Sequence, residues 1–235
     1  MRGVRTSSSL RTRLLTGISW GTVLPWVLPW GAARRERPRL LAAATACAVD
    51  WGWPVLPGVS MGRDGCGCRR ADCATPGAHP DEPSLLAATT DPRMVAWWWG
   101  RRPDAPVLVA TGGRVSAVSL PAAAGARVLE YFDALRIRTG PVLATPTRYV
   151  LLVAPYTMQE LAELLIAQEW VPTSLRYHGT GGYVVLPPSR TGAGPVRWAR
   201  EPEGDGVPWL PGVDELMGAL VAASVAVPDG ARLAY

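Results

Sequence analysis

No lysine and no asparagine occur in the 235 residues, and Phe132 is the only phenylalanine. All 24 basic residues are therefore arginine. Alanine, glycine, proline and arginine dominate, as in proteins from GC-rich genomes, so the missing lysine carries little weight about mechanism. The shortage of acid carries more. Between residues 105 and 200 the acids are Glu130, Asp133, Glu160, Glu163 and Glu169. All five fall on segments whose apolar spacing predicts helix, where they read as solvated faces. No predicted strand carries an acid. Metal-assisted nucleotide chemistry needs carboxylate oxygens to hold its divalent ions, so the pattern argues against a catalytic Mg²⁺ or Mn²⁺ centre on a strand.

The length and 48% hydrophobic content suit one α/β core with little left for a second domain. The net charge of +5 is unevenly spread. Residues 1–39 hold eight arginines against one acid, Glu36, and the remainder holds sixteen against eighteen. A protein that grips a nucleic-acid backbone usually shows a basic face on its folded part, and here the excess lies in the arm. Within that arm residues 14–33 are apolar and flanked by arginine, but Pro25 and Pro29 interrupt the run. Three readings stand for it: a loosely packed extension, an interfacial membrane anchor or partner-binding segment rich in tryptophan, and a cleaved or spanning signal. The expected divisions are an extension over 1–38, a folded domain over 39–200, and a linker with a closing helix over 201–235.

Of the four cysteines, Cys47 sits in an alanine-rich helical run and reads as a small buried apolar residue. Cys66, Cys68 and Cys73 cluster, with His79 close behind. Three thiolates and one imidazole make a complete tetrahedral set suited to structural Zn²⁺. The alternative is a set of reduced loop cysteines with His79 directed elsewhere.

Helices are expected over 38–50, 92–101 with Asp91 as N-cap, 122–137, 157–169 and 213–223. Strands are expected over 53–57, 107–110, 115–120, 142–144, 149–153 and 183–186, and residues 58–83 form a loop. The order suggests an α+β fold with its sheet covered on one face. Trp97, Trp98 and Trp99 can stack bases, but on a helix at most two of the three can face a core.

Several ordered segments resemble the bacterial primase-polymerase family of the archaeo-eukaryotic primase superfamily. They are Trp51-Gly52-Trp53-Pro54-Val55-Leu56-Pro57, the cysteine loop ending in Pro76-Gly77-Ala78-His79-Pro80, Ala88-Thr89-Thr90-Asp91-Pro92 with Trp97-Trp98, Pro103-Asp104-Ala105 through Thr111-Gly112, and Gly179 to Ser189. The resemblance spans roughly residues 40–200 and implies a primase-polymerase (RRM-like) fold with a small zinc-binding Cys/His loop. It also implies that His79 can lie near a nucleotide phosphate; Ala78 replaces the family's lysine there.

The departures from the family pattern are as informative. Ser119 and Pro121 fall where two metal-binding acids belong, and Pro121 is expected to disturb strand pairing. Tyr149 falls where a histidine belongs, Arg176 where a third acid belongs, and His178 replaces an arginine. The resemblance therefore implies a DNA primase/polymerase-like domain without catalytic activity, kept for binding DNA or a nucleotide. The candidate binding residues are Arg114, Arg148, Arg176, His178, Gly181, Gly182 and Ser189; the alternative for the arginines is a scatter over the surface. Two other readings are an active polymerase with an unusual site and a membrane-associated interaction protein that uses residues 1–38. The expected location is the cytoplasm, with membrane association if that segment anchors.

Overall fold

In a computed structural model of the chain, residues 30–68, 70–168 and 171–225 are described. Residues 1–29 of the extension expected over 1–38, and with them most of the anchor, signal and partner-binding readings, lie outside them. Among the described residues, no helix is long and apolar enough to cross a membrane.

The chain opens with α1 (Trp30–Thr45), which continues as a π-helical turn (Ala46–Asp50). Pro38 lies inside α1, whereas the sequence placed it at the helix start. A proline removes one amide donor and is compatible with helix on both sides where that bond can be spared. Cys47 is buried, and burial pushes its thiol upward, as suits an unreactive core residue. Strand β1 (Val55–Pro57) follows, then two short strands in the cysteine loop, β2 (Met61–Gly62) and β3 (Gly65–Cys66). Helix α2 (Pro92–Arg101) begins where Asp91 accepts the Arg93 amide at 2.8 Å. Trp98 and Trp99 are buried while Trp97 is 52% exposed.

Next come β4 (Val107–Ala110), β5 (Ser116–Pro121), α3 (Ala122–Ala134), β6 (Val142–Ala144) and β7 (Arg148–Val153). Helix α4 (Met158–Ile166) starts with a capping box of Thr157 and Glu160. The remainder is β8 (Arg176–His178), β9 (Tyr183–Leu186), β10 (Arg190–Thr191), β11 (Gly194–Pro195), β12 (Arg197–Arg200) and α5 (Val213–Val225). The α+β class expected from the sequence is what the chain adopts.

The strands divide between two main sheets, both antiparallel. One has the order β1-β4-β9 and the other β12-β6-β7-β5-β8. Although β4 and β5 are consecutive, the turn between them carries the chain from the smaller sheet to the larger. Two cores result. Val118, Leu120, Leu151 and Val153 point from the larger sheet onto α3, α4 and α5. Ala117, Leu143 and Leu152 point from its other face onto the smaller sheet, α1 and α2. The larger sheet is thus covered on both faces, not one. Its short strands alternate inward on each side, and the inward residues are mostly apolar, with Ser116 and Ser119 of β5 buried among them. The closing helix α5 buries Leu216, Met217 and Leu220 in the same core as α3.

Gly125 shows how closely α3 lies on the sheet: a Cβ there would overlap the Tyr149 side chain. Gly125→Ala should destabilise the fold by about 1–3 kcal/mol through overpacking, despite alanine's better helix propensity. Urea unfolding of wild type and variant would read the difference; an unchanged or raised midpoint would contradict the packing described.

Candidate functional site

Two groups of polar side chains stand out. The first is the cysteine loop. The hairpin β2–β3 brings in Cys66, and the chain then turns through Cys68 and Cys73 to His79. Gly77, at φ +69°, lets the loop close against Met61 and Thr191, where a Cβ would stand 2.8 Å from Met61. The Gly192 amide binds the Pro76 carbonyl at 2.7 Å and ties the loop to the hairpin β10–β11.

Nε2 of His79 lies 3.3 Å from Sγ of both Cys66 and Cys73, and all four candidate ligand atoms fall within 4.8 Å of one another. Tetrahedral Zn²⁺, with bonds of about 2.3 Å to sulfur and about 2.0 Å to nitrogen, would space its donors by about 3.5–3.8 Å. His79 Nδ1 lies 2.8 Å from the Pro80 carbonyl. Donation to that oxygen leaves Nε2 as a lone pair directed at the sulfurs. Burial alone would raise the Cys66 thiol, but the backbone amides of Cys68 and Gly77 and the His79 ring draw it down to about 6. The group Cys66, Cys68, Cys73 and His79 can hold a metal ion, and its four donors leave no coordination position over.

The second group surrounds Ser119 at the centre of β5. The register sets Ser119 opposite Val150 of β7 and Arg176 of β8; it sets Pro121 opposite Arg148 and Ala117 opposite His178. Residues directly opposite in an antiparallel sheet share a face, so Ser119, Arg148, Arg176 and His178 lie together. Ser119 Oγ is 3.0 Å from His178 Nε2. Arg148 donates from Nε to Ser119 Oγ at 3.2 Å, and from Nη2 to the carbonyls of Ser119 and Ser174 at 2.7 Å each.

The electrostatics of this face are cationic. Burial pulls the Arg148 guanidinium down to about 10, helped by the charge of Arg176; it stays protonated at neutral pH. Burial also lowers His178 to about 4, with Arg148 and Arg176 adding to the effect, so the ring is neutral. A serine 3.0 Å from a histidine suggests a nucleophile and its base, but Ser119 is 1% exposed and His178 is too weak a base at neutral pH. Among the described residues, the donors here are a hydroxyl, an imidazole and two guanidinium groups. They offer no anionic oxygen to Mg²⁺ or Mn²⁺.

The other sequence candidates are placed differently. Pro121 is the last residue of β5 and the N-cap of α3; at a strand end, pairing survives it. Tyr149 points to the opposite face of the sheet, against Gly125, away from the Ser119 cluster. Arg114 is exposed on the β4–β5 turn. Gly181 and Gly182 shape the β8–β9 turn, where Thr111 packs so tightly that a Cβ on Gly182 would stand 2.7 Å from its hydroxyl. Ser189 is buried and its Oγ accepts the Val107 amide at 2.8 Å, so its role is to hold β4. The Ser174 carbonyl, by contrast, was not foreseen: β8 is three residues long, and neither it nor the segment before it has an apolar pattern to mark it.

A family model described as bifunctional DNA primase/polymerase, N-terminal, matches residues 44–213. The chain belongs to the Prim-Pol family. No curated protein and no solved structure matches it. The matched span takes in the cysteine loop, both sheets and the Ser119 face, so each feature above belongs to the Prim-Pol domain itself.

His178 gives this face a pH signature. Its folded value lies below the ordinary histidine value of about 6.5. The unfolded chain therefore takes up the proton first, and stability falls as pH drops from about 6.5 to about 4. The loss should be on the order of 3 kcal/mol, and His178→Gln should abolish that part of it. Urea unfolding of both proteins at pH 7 and pH 4.5 would show this; identical acid sensitivity would count against a partly buried, neutral His178.

Proposed function

We propose that this Prim-Pol protein has given up metal-dependent nucleotide addition and acts by binding nucleic acid or a nucleotide on the Ser119 face. The observation that carries the reading is the guanidinium of Arg148, bonded to both the hydroxyl and the carbonyl of Ser119. In the Prim-Pol resemblance, Ser119 holds the position of a metal-binding acid. Bound divalent ions would supply charge stabilisation and an activated hydroxyl for nucleotide transfer. Here the family position is a serine, a fixed cation covers it, and Arg176 on the neighbouring strand replaces a third acid. Cations on this scale suit phosphate oxygens.

The cysteine loop is read as a structural zinc site. Sulfur and imidazole donors favour Zn²⁺ over Mg²⁺, and four of them satisfy its tetrahedral preference. Zinc would stabilise a loop with few apolar side chains of its own.

Purified protein incubated with a primer-free template, deoxynucleotides and either Mg²⁺ or Mn²⁺ should make no product. Ser119→Asp/Pro121→Asp, run beside it, should bind Mn²⁺ more tightly than wild type. Template-dependent incorporation by wild type would overturn the reading. Metal analysis should find about one zinc per chain, and Cys68→Ser should lose most of it with a lowered melting temperature; wild type purified without zinc would refute the zinc assignment.

A further inference from the structure

We propose that Arg148 and Arg176 form a phosphate-oxyanion site that works without a divalent metal. This rests on the binding role proposed for the Ser119 face and adds how the phosphate is held. A guanidinium has five N–H donors. Three of those on Arg148 are directed at Ser119 Oγ, the Ser119 carbonyl and the Ser174 carbonyl. The two on Nη1 meet no acceptor among the described residues. The Arg176 side chain likewise has no hydrogen bond or ion pair among them, although its backbone pairs with β5.

The contrast with other arginines is sharp. Arg37 pairs with Asp104 and Arg138 with Glu203 at exposed or half-exposed positions, and the more enclosed Arg200 pairs with Asp133. Arg148 is more enclosed than those carboxylates and has no counter-ion among the described residues, with a second cation beside it. A partly desolvated cation without a counter-ion is costly, and an anion arriving between Arg148 and Arg176 relieves both the desolvation and the repulsion. Three bonds to the protein fix the Arg148 fork in advance, so little side-chain freedom is lost on binding. A phosphate group, with several oxygens and one or two charges, matches two guanidinium groups. The phosphate can come from a nucleotide or from the backbone of a nucleic acid.

A consequence separates this site from one that grips phosphate through metal. Mg²⁺ would compete with Arg148 and Arg176 for the phosphate oxygens, so removing it should leave binding unchanged or tighten it. A carboxylate at position 119 would neutralise Arg148 and weaken the site.

The test is fluorescence polarisation of the full chain with two probes, a labelled nucleoside triphosphate and a labelled single-stranded oligonucleotide. Each is measured in EDTA and in Mg²⁺, with inorganic tripolyphosphate as competitor. At least one probe should bind in EDTA at least as tightly as in Mg²⁺, and tripolyphosphate should displace it. Which probe binds distinguishes the two phosphate sources. Arg176→Ser should weaken binding by about tenfold, with Arg148→Gln and Ser119→Asp weakening it further. Arg176 is exposed, so its variant keeps the test decisive if Arg148→Gln fails to fold. Binding that requires Mg²⁺ would overturn the metal-free site while leaving a nucleotide-binding role intact. Binding in EDTA that Arg176→Ser leaves unchanged would place the ligand elsewhere and overturn it too. Failure of both probes under both conditions would defeat this proposal and the binding role together.

Discussion

The guanidinium of Arg148 joins three segments at the larger sheet. It starts on β7, crosses to the side chain and carbonyl of Ser119 on β5, and reaches the Ser174 carbonyl just ahead of β8. Three segments far apart in the chain are thereby held by one side chain. Hydrogen bonds to a charged donor are worth about 1.5–3 kcal/mol each, which is enough to set the local geometry. The same charge, beside Arg176, adds to the burial that keeps His178 neutral.

The cysteine loop and the Ser119 face share one structural neighbour, the turn between β8 and β9. His178 ends β8 on the cationic side of this turn. Tyr183 begins β9 on the other, where it lines a cavity of about 460 Å³ with Cys68, Cys73 and His79. The turn is fixed by Thr111, whose hydroxyl binds the Gly179 carbonyl at 2.7 Å and whose amide binds that of Gly182 at 2.9 Å. The Thr-Gly and Gly-Gly segments that carried the family resemblance therefore serve packing between the two sheets.

Much of the local structure was legible in the residues. The bounds of α2, β4, β6 and β9 match the sequence reading, because each is marked by a cap, a proline or a tight turn at its ends. Strands β8 and β12 were not legible. Each is only three or four residues long and rich in arginine, so neither shows the apolar alternation that marks a strand. Both lie at edges of the larger sheet, where one side remains unpaired and polar residues are tolerated. The face that Tyr149 takes was not legible either: with a period of two, a shift of one residue in an alignment reverses the face.

The sequence by itself determined a cysteine and histidine set that could hold a metal ion, the family, and the absence of carboxylates on the described strands, since these depend only on which residues occur and in what order. Tertiary structure alone decided which side chains meet. It brought Arg148, Ser119 and His178 together across strands separated by up to 59 residues, and it set Ser189 against the Val107 amide and Gly182 against Thr111. The reason is the sheet register, which pairs distant residues through backbone hydrogen bonds and leaves no local mark in the chain.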